Sequence, residues 1–369
     1  MQYSQLRSKS LVVALALFVL IGLSGCGPSE KERALNSTAT VIANGYDNLA
    51  TSVGELNSRA EQFCSAPDQS KLDQTRTAWV KAMDAWMRIQ AINFGPIRSL
   101  DLAYKIQFWP DPRDMVGSEL QTQIAQASTD AAAMKAKIDK ASVAVHGLPA
   151  IEALLYPEEN DALALFQQPG RCQVLNAVSA NLLDSSDQLQ SAWTAPDTGL
   201  ALRFTNFAED VSLFRDADAA VSGVLSGMVQ AMEQVNGSKL GWPLGVRADG
   251  VPQPYRVESR RSLRSLENIE ANLKGLETLF TAGEQFGMED YLRTLDGGDA
   301  LADEVLAQFH LAEQQAADLK PLFPALQAGG DLTAYRELLT TTGVLTELLG
   351  EKVSAKFGVS GGLNFNDGD

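Results

Sequence analysis

Residues 211–235 read VSLFRDADAAVSGVLSGMVQAMEQV. Val211, Phe214, Ala217, Val221, Val224, Met228, Met232 and Val235 follow one another at gaps of three and four throughout. That period lays them along one stripe of a helix, and a stripe sustained for so many turns reads as a bundle seam rather than a cofactor box. Downstream, Leu263, Leu266, Ile269, Leu273, Leu276 and Leu279 repeat the pattern, and two more helices are expected near 299–319 and 331–357. Residues 237–256, with four glycines and three prolines, read as a long loop between them.

Upstream the same period returns. Val41, Ile42, Tyr46, Leu49, Val53 and Leu56 mark a helix ending near Cys64, and a second runs from about 73 to 94 with Trp79, Met83 and Trp86 on one face. Gly95-Pro96 stops it, and residues 94–117 (FGPIRSLDLAYKIQFWPDPRDMVG) form a long irregular connection of the kind that often carries function. Helical pattern resumes over 118–139, from Pro149, and over 171–193, before Ala195-Pro196-Asp197-Thr198-Gly199 marks a domain boundary. Strand-like alternation is almost absent. The expected fold is all-α: two tandem up-and-down, four-helix-bundle-like domains, residues 27–196 and 197–369, with a site between them.

Composition narrows the partners. The 369 residues are 45% hydrophobic and 21% charged, enough to bury a core, and the formal net charge is −16. Such an acidic balance argues against nucleic acid, which calls for basic patches. Residues 1–26 read as a signal peptide: Arg7 and Lys9 precede a short apolar run from Leu11 to Leu23, and Leu23-Ser24-Gly25-Cys26 resembles a bacterial lipobox. Cys26 would then carry a lipid that holds the mature protein to a membrane. Gly27, rather than an acid, after it resembles the sorting signal for the outer membrane, with the body facing the periplasm. Export leaves Cys64 and Cys172 as an even pair in an oxidising compartment, and a disulfide between them is expected.

The chemistry converges on Ala144 to Tyr156, AVHGLPAIEALLY. Pro149 suits the first turn of a helix, so Glu152 stands as a lone carboxylate among Ile151, Leu154 and Leu155. Such a group is either a tolerated surface residue or the centre of a site. No H-E-x-x-H, Walker A or G-x-S-x-G pattern occurs, and His146 and His310 are too few for a three-histidine zinc site. His146 and Glu152, six residues apart, would point away from each other on a continuous helix. His146 reads as a solvent-facing or capping residue, and His310 as a helix-surface residue.

Gly147-Leu148-Pro149-Ala150-Ile151-Glu152 resembles the G-x-H-x-x-E signature of the imelysin-like proteins, also called the insulin-cleaving metallopeptidase family. Other segments agree in order: Arg76-Thr77-Ala78-Trp79, Phe94-Gly95-Pro96, Phe108-Trp109-Pro110, Glu258-Ser259 opening a helix, and the ending Phe365-Asn366-Asp367-Gly368-Asp369. The resemblance implies two helical bundles and a periplasm-facing lipoprotein associated with iron uptake. It departs from the family where Pro149 stands in place of the motif histidine, which removes a metal ligand.

The reading that follows is a non-enzymatic binding lipoprotein in iron or haem acquisition, acting on an iron or haem ligand or an iron-uptake protein partner. Its site would be lined by Glu152, Pro149, Arg76, Trp79, Gly95, Pro96, Trp109, Glu258, Ser259, Arg261 and Ser262, with no catalytic residue assigned. Arg76 and Arg261 would hold an anionic group, Glu152 and Glu258 a cation or a donor. Core packing of the tryptophans and helix capping by Glu258-Ser259 are the plainer alternatives. A metal ion, iron or zinc, is left open, with Glu152 and His146 as its candidate ligands. Two further readings stand beside this one: a metal-dependent peptidase using Glu152, and a structural or protein-interaction lipoprotein without a small ligand.

Overall fold

The computed structural model describes residues 28–158, 161–196, 199–207 and 213–359. The signal peptide with Cys26, the boundary at Asp197, Val211 and the 365–369 ending lie outside them. Among the described residues every regular element is helical, and none is long and apolar enough to cross a membrane.

Helix α1, Glu30–Ser65, spans 36 residues, about 54 Å at 1.5 Å per residue. Ser29 caps it in a reciprocal box with Glu32, satisfying two of the orphan amides of the first turn. α2 is Gln69–Ile89, capped by Asp68. The following main helices are α3 (Met115–Ala125), α4 (Ala131–Asp139), α5 (Gly147–Leu155) and α6 (Arg171–Thr194). α7 (Ala217–Glu233) continues into a π-helical stretch, Gln234–Gly241, and is followed by α8 (Ser265–Thr281), α9 (Gly298–Asp318) and α10 (Thr333–Glu347).

The connection of only Ala66 to Asp68 makes α1 and α2 antiparallel neighbours. α6 packs on α1, and α5 on both α2 and α6. In the second half α8 packs on α9, α9 on α10, and α7 on α10. α2 also lies against α8, and α1 reaches α7, so the buried side chains from Ala34 to Phe357 form one continuous cluster. Close backbone approach explains two of these contacts. A Cβ on Gly275 of α8 would stand 2.0 Å from the Arg88 carbonyl, and one on Gly227 of α7 2.3 Å from that of Ala91.

Cys64 and Cys172 are bonded, with their Cα atoms 5.4 Å apart, tying the end of α1 to the start of α6. Four boundaries differ from the periodicity, the first being that of α2, which ends at Ile89 rather than near Phe94. Residues 118–139 split into α3 and α4 at Gln126–Asp130, where Asp130 caps the new helix. The expected loop from 237 is helical to Gly241, where α7 runs on as a π-helical stretch through Gly237 and Gly241. Glu258-Ser259 does not open a helix. Ser259 and Leu263 have φ of 47° and 62°, left-handed values that delay α8 to Ser265.

Candidate functional site

The site begins with how α5 is held. Gly147 has φ +69°, and a Cβ there would lie 2.1 Å from the Ile106 carbonyl oxygen, so only glycine lets α5 start against the Ala103–Ile106 turn. Trp79 Nε1 donates to the Leu148 carbonyl at 2.9 Å. At the other end Arg76 donates to the Leu155 carbonyl through Nε and Nη2 at 3.1 and 2.8 Å, and Arg171 Nη2 donates to Leu154 at 2.6 Å. Orphan carbonyls of a last helical turn favour such cations. Arg76 and Trp79 therefore serve the motif helix from behind.

Glu152, only 5% exposed, is locked in place. Its Oε1 accepts from the Ser262 amide at 2.8 Å and the Ser262 hydroxyl at 2.7 Å. Burial pushes its carboxyl above the ordinary value, against the lowering pull of those bonds and of Arg261 and Arg260.

Beside it lies a second buried carboxylate. Glu258 Oε1 accepts from Gln107 Nε2 at 2.9 Å and pairs with Lys239 Nζ at 3.1 Å, while Oε2 accepts from Asn268 Nδ2 at 3.0 Å. Asn268 also donates to the Ser259 hydroxyl at 3.0 Å. Lys239, fully buried, donates further to Asn272 Oδ1 at 2.6 Å and Gln90 Oε1 at 3.0 Å. Burial holds its pKa below the ordinary lysine value, and the Glu258 charge offsets only part of that shift. Gln107 Oε1 closes the network by accepting from Trp86 Nε1 and Gln90 Nε2, both at 2.7 Å. Within this network Asn268 Oδ1 alone is left without a partner, so the buried charges themselves are paired and hydrogen-bonded.

Trp109, Pro149, Glu152, Glu258, Ser259 and Arg261 line a narrow cavity of about 30 Å³, room for a water molecule. At its rim Arg261 bonds Asp114 at 2.6 Å, and Arg260 pairs with Glu158 at 2.9 Å. Six of the sequence-derived residues thus meet at one cavity, and Ser262 reaches it through Glu152. Gly95 and Pro96 do not line it. Gly95, at φ +67°, lies among Trp193, Leu200 and Leu213, and Pro96 starts the short Pro96–Ser99 helix. Lys239, Gln107, Asn268, Gln90 and Asn272 carry no sequence signature, since amides and a lysine inside helical or Gly-rich stretches look like surface residues.

The donors do not fit a transition metal. Pro149 offers no lone pair, Glu152 is engaged by Ser262, and Glu258 by Lys239, Gln107 and Asn268. His146 is buried rather than solvent-facing. Its Nε2 lies 2.8 Å from the Ile138 carbonyl, and it does not line the cavity. Among the described residues no group of three His, Cys, Asp or Glu is placed to hold a metal. His310 lies exposed on α9, paired with Glu277 at 2.8 Å.

Residues 42–349 match the imelysin family, designated peptidase family M75. The chain is 23% identical over 250 residues to iron-regulated protein A of Synechococcus elongatus, a match covering 67% of this chain and 63% of that protein, so it spans less than two thirds of that relative's length. Two solved structures share the fold. An imelysin-like protein from Psychrobacter arcticum superposes with a TM-score of 0.72 at 19% identity, over 89% of this chain and 96% of that one. A structure described as a putative iron-regulated protein A precursor from Parabacteroides distasonis gives 0.72 at 17% identity, over 90% and 97%. With more than half of its length matched by the family, the chain belongs to the imelysin family.

Proposed function

We propose that this protein is a binding member of the imelysin family, not a peptidase, working in iron or haem acquisition as an outer-membrane lipoprotein facing the periplasm. The two tandem bundles divided near residue 197, with the binding site between them, are part of this proposal. The contact of α2 with α8 beside Glu258 and Lys239 supports it. The observation that carries the reading is Pro149 on the wall of the Glu152 cavity, where the family motif has histidine. A hydrolytic zinc site needs about three protein ligands and an open position, and the carboxylates here are already held by protein donors. The names of two relatives, which call them iron-regulated, support an iron-related role.

Metal analysis of the purified protein, run beside a proteolysis assay with and without chelator, tests the proposal. Binding without cleavage predicts no chelator-sensitive proteolysis and impaired growth of a deletion strain on limiting iron. Stoichiometric zinc or iron together with chelator-sensitive cleavage establishes the peptidase instead. Normal growth on limiting iron, with no ligand found, leaves a structural lipoprotein.

A further inference from the structure

Arg171, the first residue of α6, is 5% exposed, yet no carboxylate pairs with it among the described residues. Its Nη2 rests on the Ala153 and Leu154 carbonyls, its guanidinium lies 5.1 Å over the Phe166 ring, and its Nε has no acceptor. A buried charge is costly unless paired, and carbonyl dipoles offset only part of that cost. Burial accordingly pushes this guanidinium down to about 10, far below an ordinary arginine.

The same side chain lines a cleft of about 540 Å³ between α3, α5 and the Ala162–Phe166 turn, within the size range of small-molecule sites. Leu120, Ile124, Leu154 and Leu165 give it an apolar wall. At its mouth the charges cancel. Asp114 and Glu158 are matched by Arg260 and Arg261, which leaves Arg171 as the uncompensated charge of the cleft among the described residues. In a chain of net charge −16, a surplus cation at a cleft with one apolar wall is a specific feature.

We propose that this cleft binds a carboxylate borne on an apolar body, with the Arg171 guanidinium as its counter-ion. The cleft adjoins the Glu152 cavity at Arg261, which lines both, but its proposed ligand stands independently of the iron-related reading. Octanoate is the probe, with octanol and octylamine as its neutral and cationic counterparts, titrated into the full chain by calorimetry. Saturable one-to-one binding of octanoate is expected, with affinity at least tenfold above that for octanol and no binding of octylamine. Arg171→Gln keeps an amide able to donate to the Ala153 and Leu154 carbonyls but removes the charge, so it separates a helix cap from a counter-ion. A folded Arg171→Gln protein should lose at least tenfold in octanoate affinity. If that variant does not fold, Gln121→Trp, an exposed position on the cleft wall, decides by obstructing the cleft: a tenfold loss supports the site and unchanged affinity overturns it. Failure of octanoate to bind, equal affinity for octanol, or undiminished binding by folded Arg171→Gln also overturns it.

Discussion

Glu152 holds its proton more tightly in the folded protein than in the unfolded chain, because burial outweighs its bonds to Ser262. The sign follows from linkage. A carboxyl raised above its ordinary value of 4.5 adds stability below that pH and loses it as pH rises through the folded value. Glu152→Gln is a neutral isostere whose carbonyl still accepts from Ser262, so its stability relative to wild type should increase in urea melts as pH rises above 4.5. A difference that is flat across that range would contradict the burial-raised carboxyl. The neighbouring pair behaves otherwise. Lys239→Met leaves Glu258 buried without its cation, and a loss of about 3–5 kcal/mol is expected. Combining it with Glu258→Gln should recover much of that loss, a coupling that a double-mutant cycle measures directly.

At the scale of the element, α5 is defined by its surroundings more than by its own sequence. Gly147→Ala would force a Cβ into the Ile106 carbonyl at a left-handed φ, and destabilisation of about 3 kcal/mol or more by urea denaturation is expected. The helices themselves were legible, because α1, α2, α7 and α8 each bury a stripe at gaps of three and four. Glu152, Pro149, Trp109 and Glu258 were legible through the family resemblance, which preserves order along the chain. What periodicity could not show was the loop conformation at Ser259 and Leu263, set by tertiary bonds from Glu152 and Asn268. Nor could it distinguish the buried Lys239, Gln107 and Asn272 from exposed polar residues, since the period of a helix reports apolar faces and not polar networks. Gly95 belongs to the packing around Trp193 and Pro96 starts a short helix, structural uses of the same residue types.

For the whole molecule, the glycine contacts of α8 and α7 on the end of α2 bind both halves into one core. Scanning calorimetry should therefore show a single transition, and Gly275→Ala should lower it as a whole rather than split it. Cys64 and Cys172 close a loop of 108 residues, worth about 5 kcal/mol in the chain-entropy account. Unfolded but unreduced protein should show no thiol reactivity at either position, and reduction should lower the midpoint of unfolding. The π-helical stretch at the end of α7 gives the molecule an unusual sensitivity to insertion and deletion. Trp242 donates to the Gly237 carbonyl at 2.9 Å, five residues back, and this wider turn sets the angle at which Lys239 faces inward. Each residue of a helix turns the chain by about 100°. Loss of a single codon between 234 and 238 would swing the lysine away from Glu258 while leaving both residues in the gene, so their pairing depends on the spacing of this turn as much as on the residues themselves.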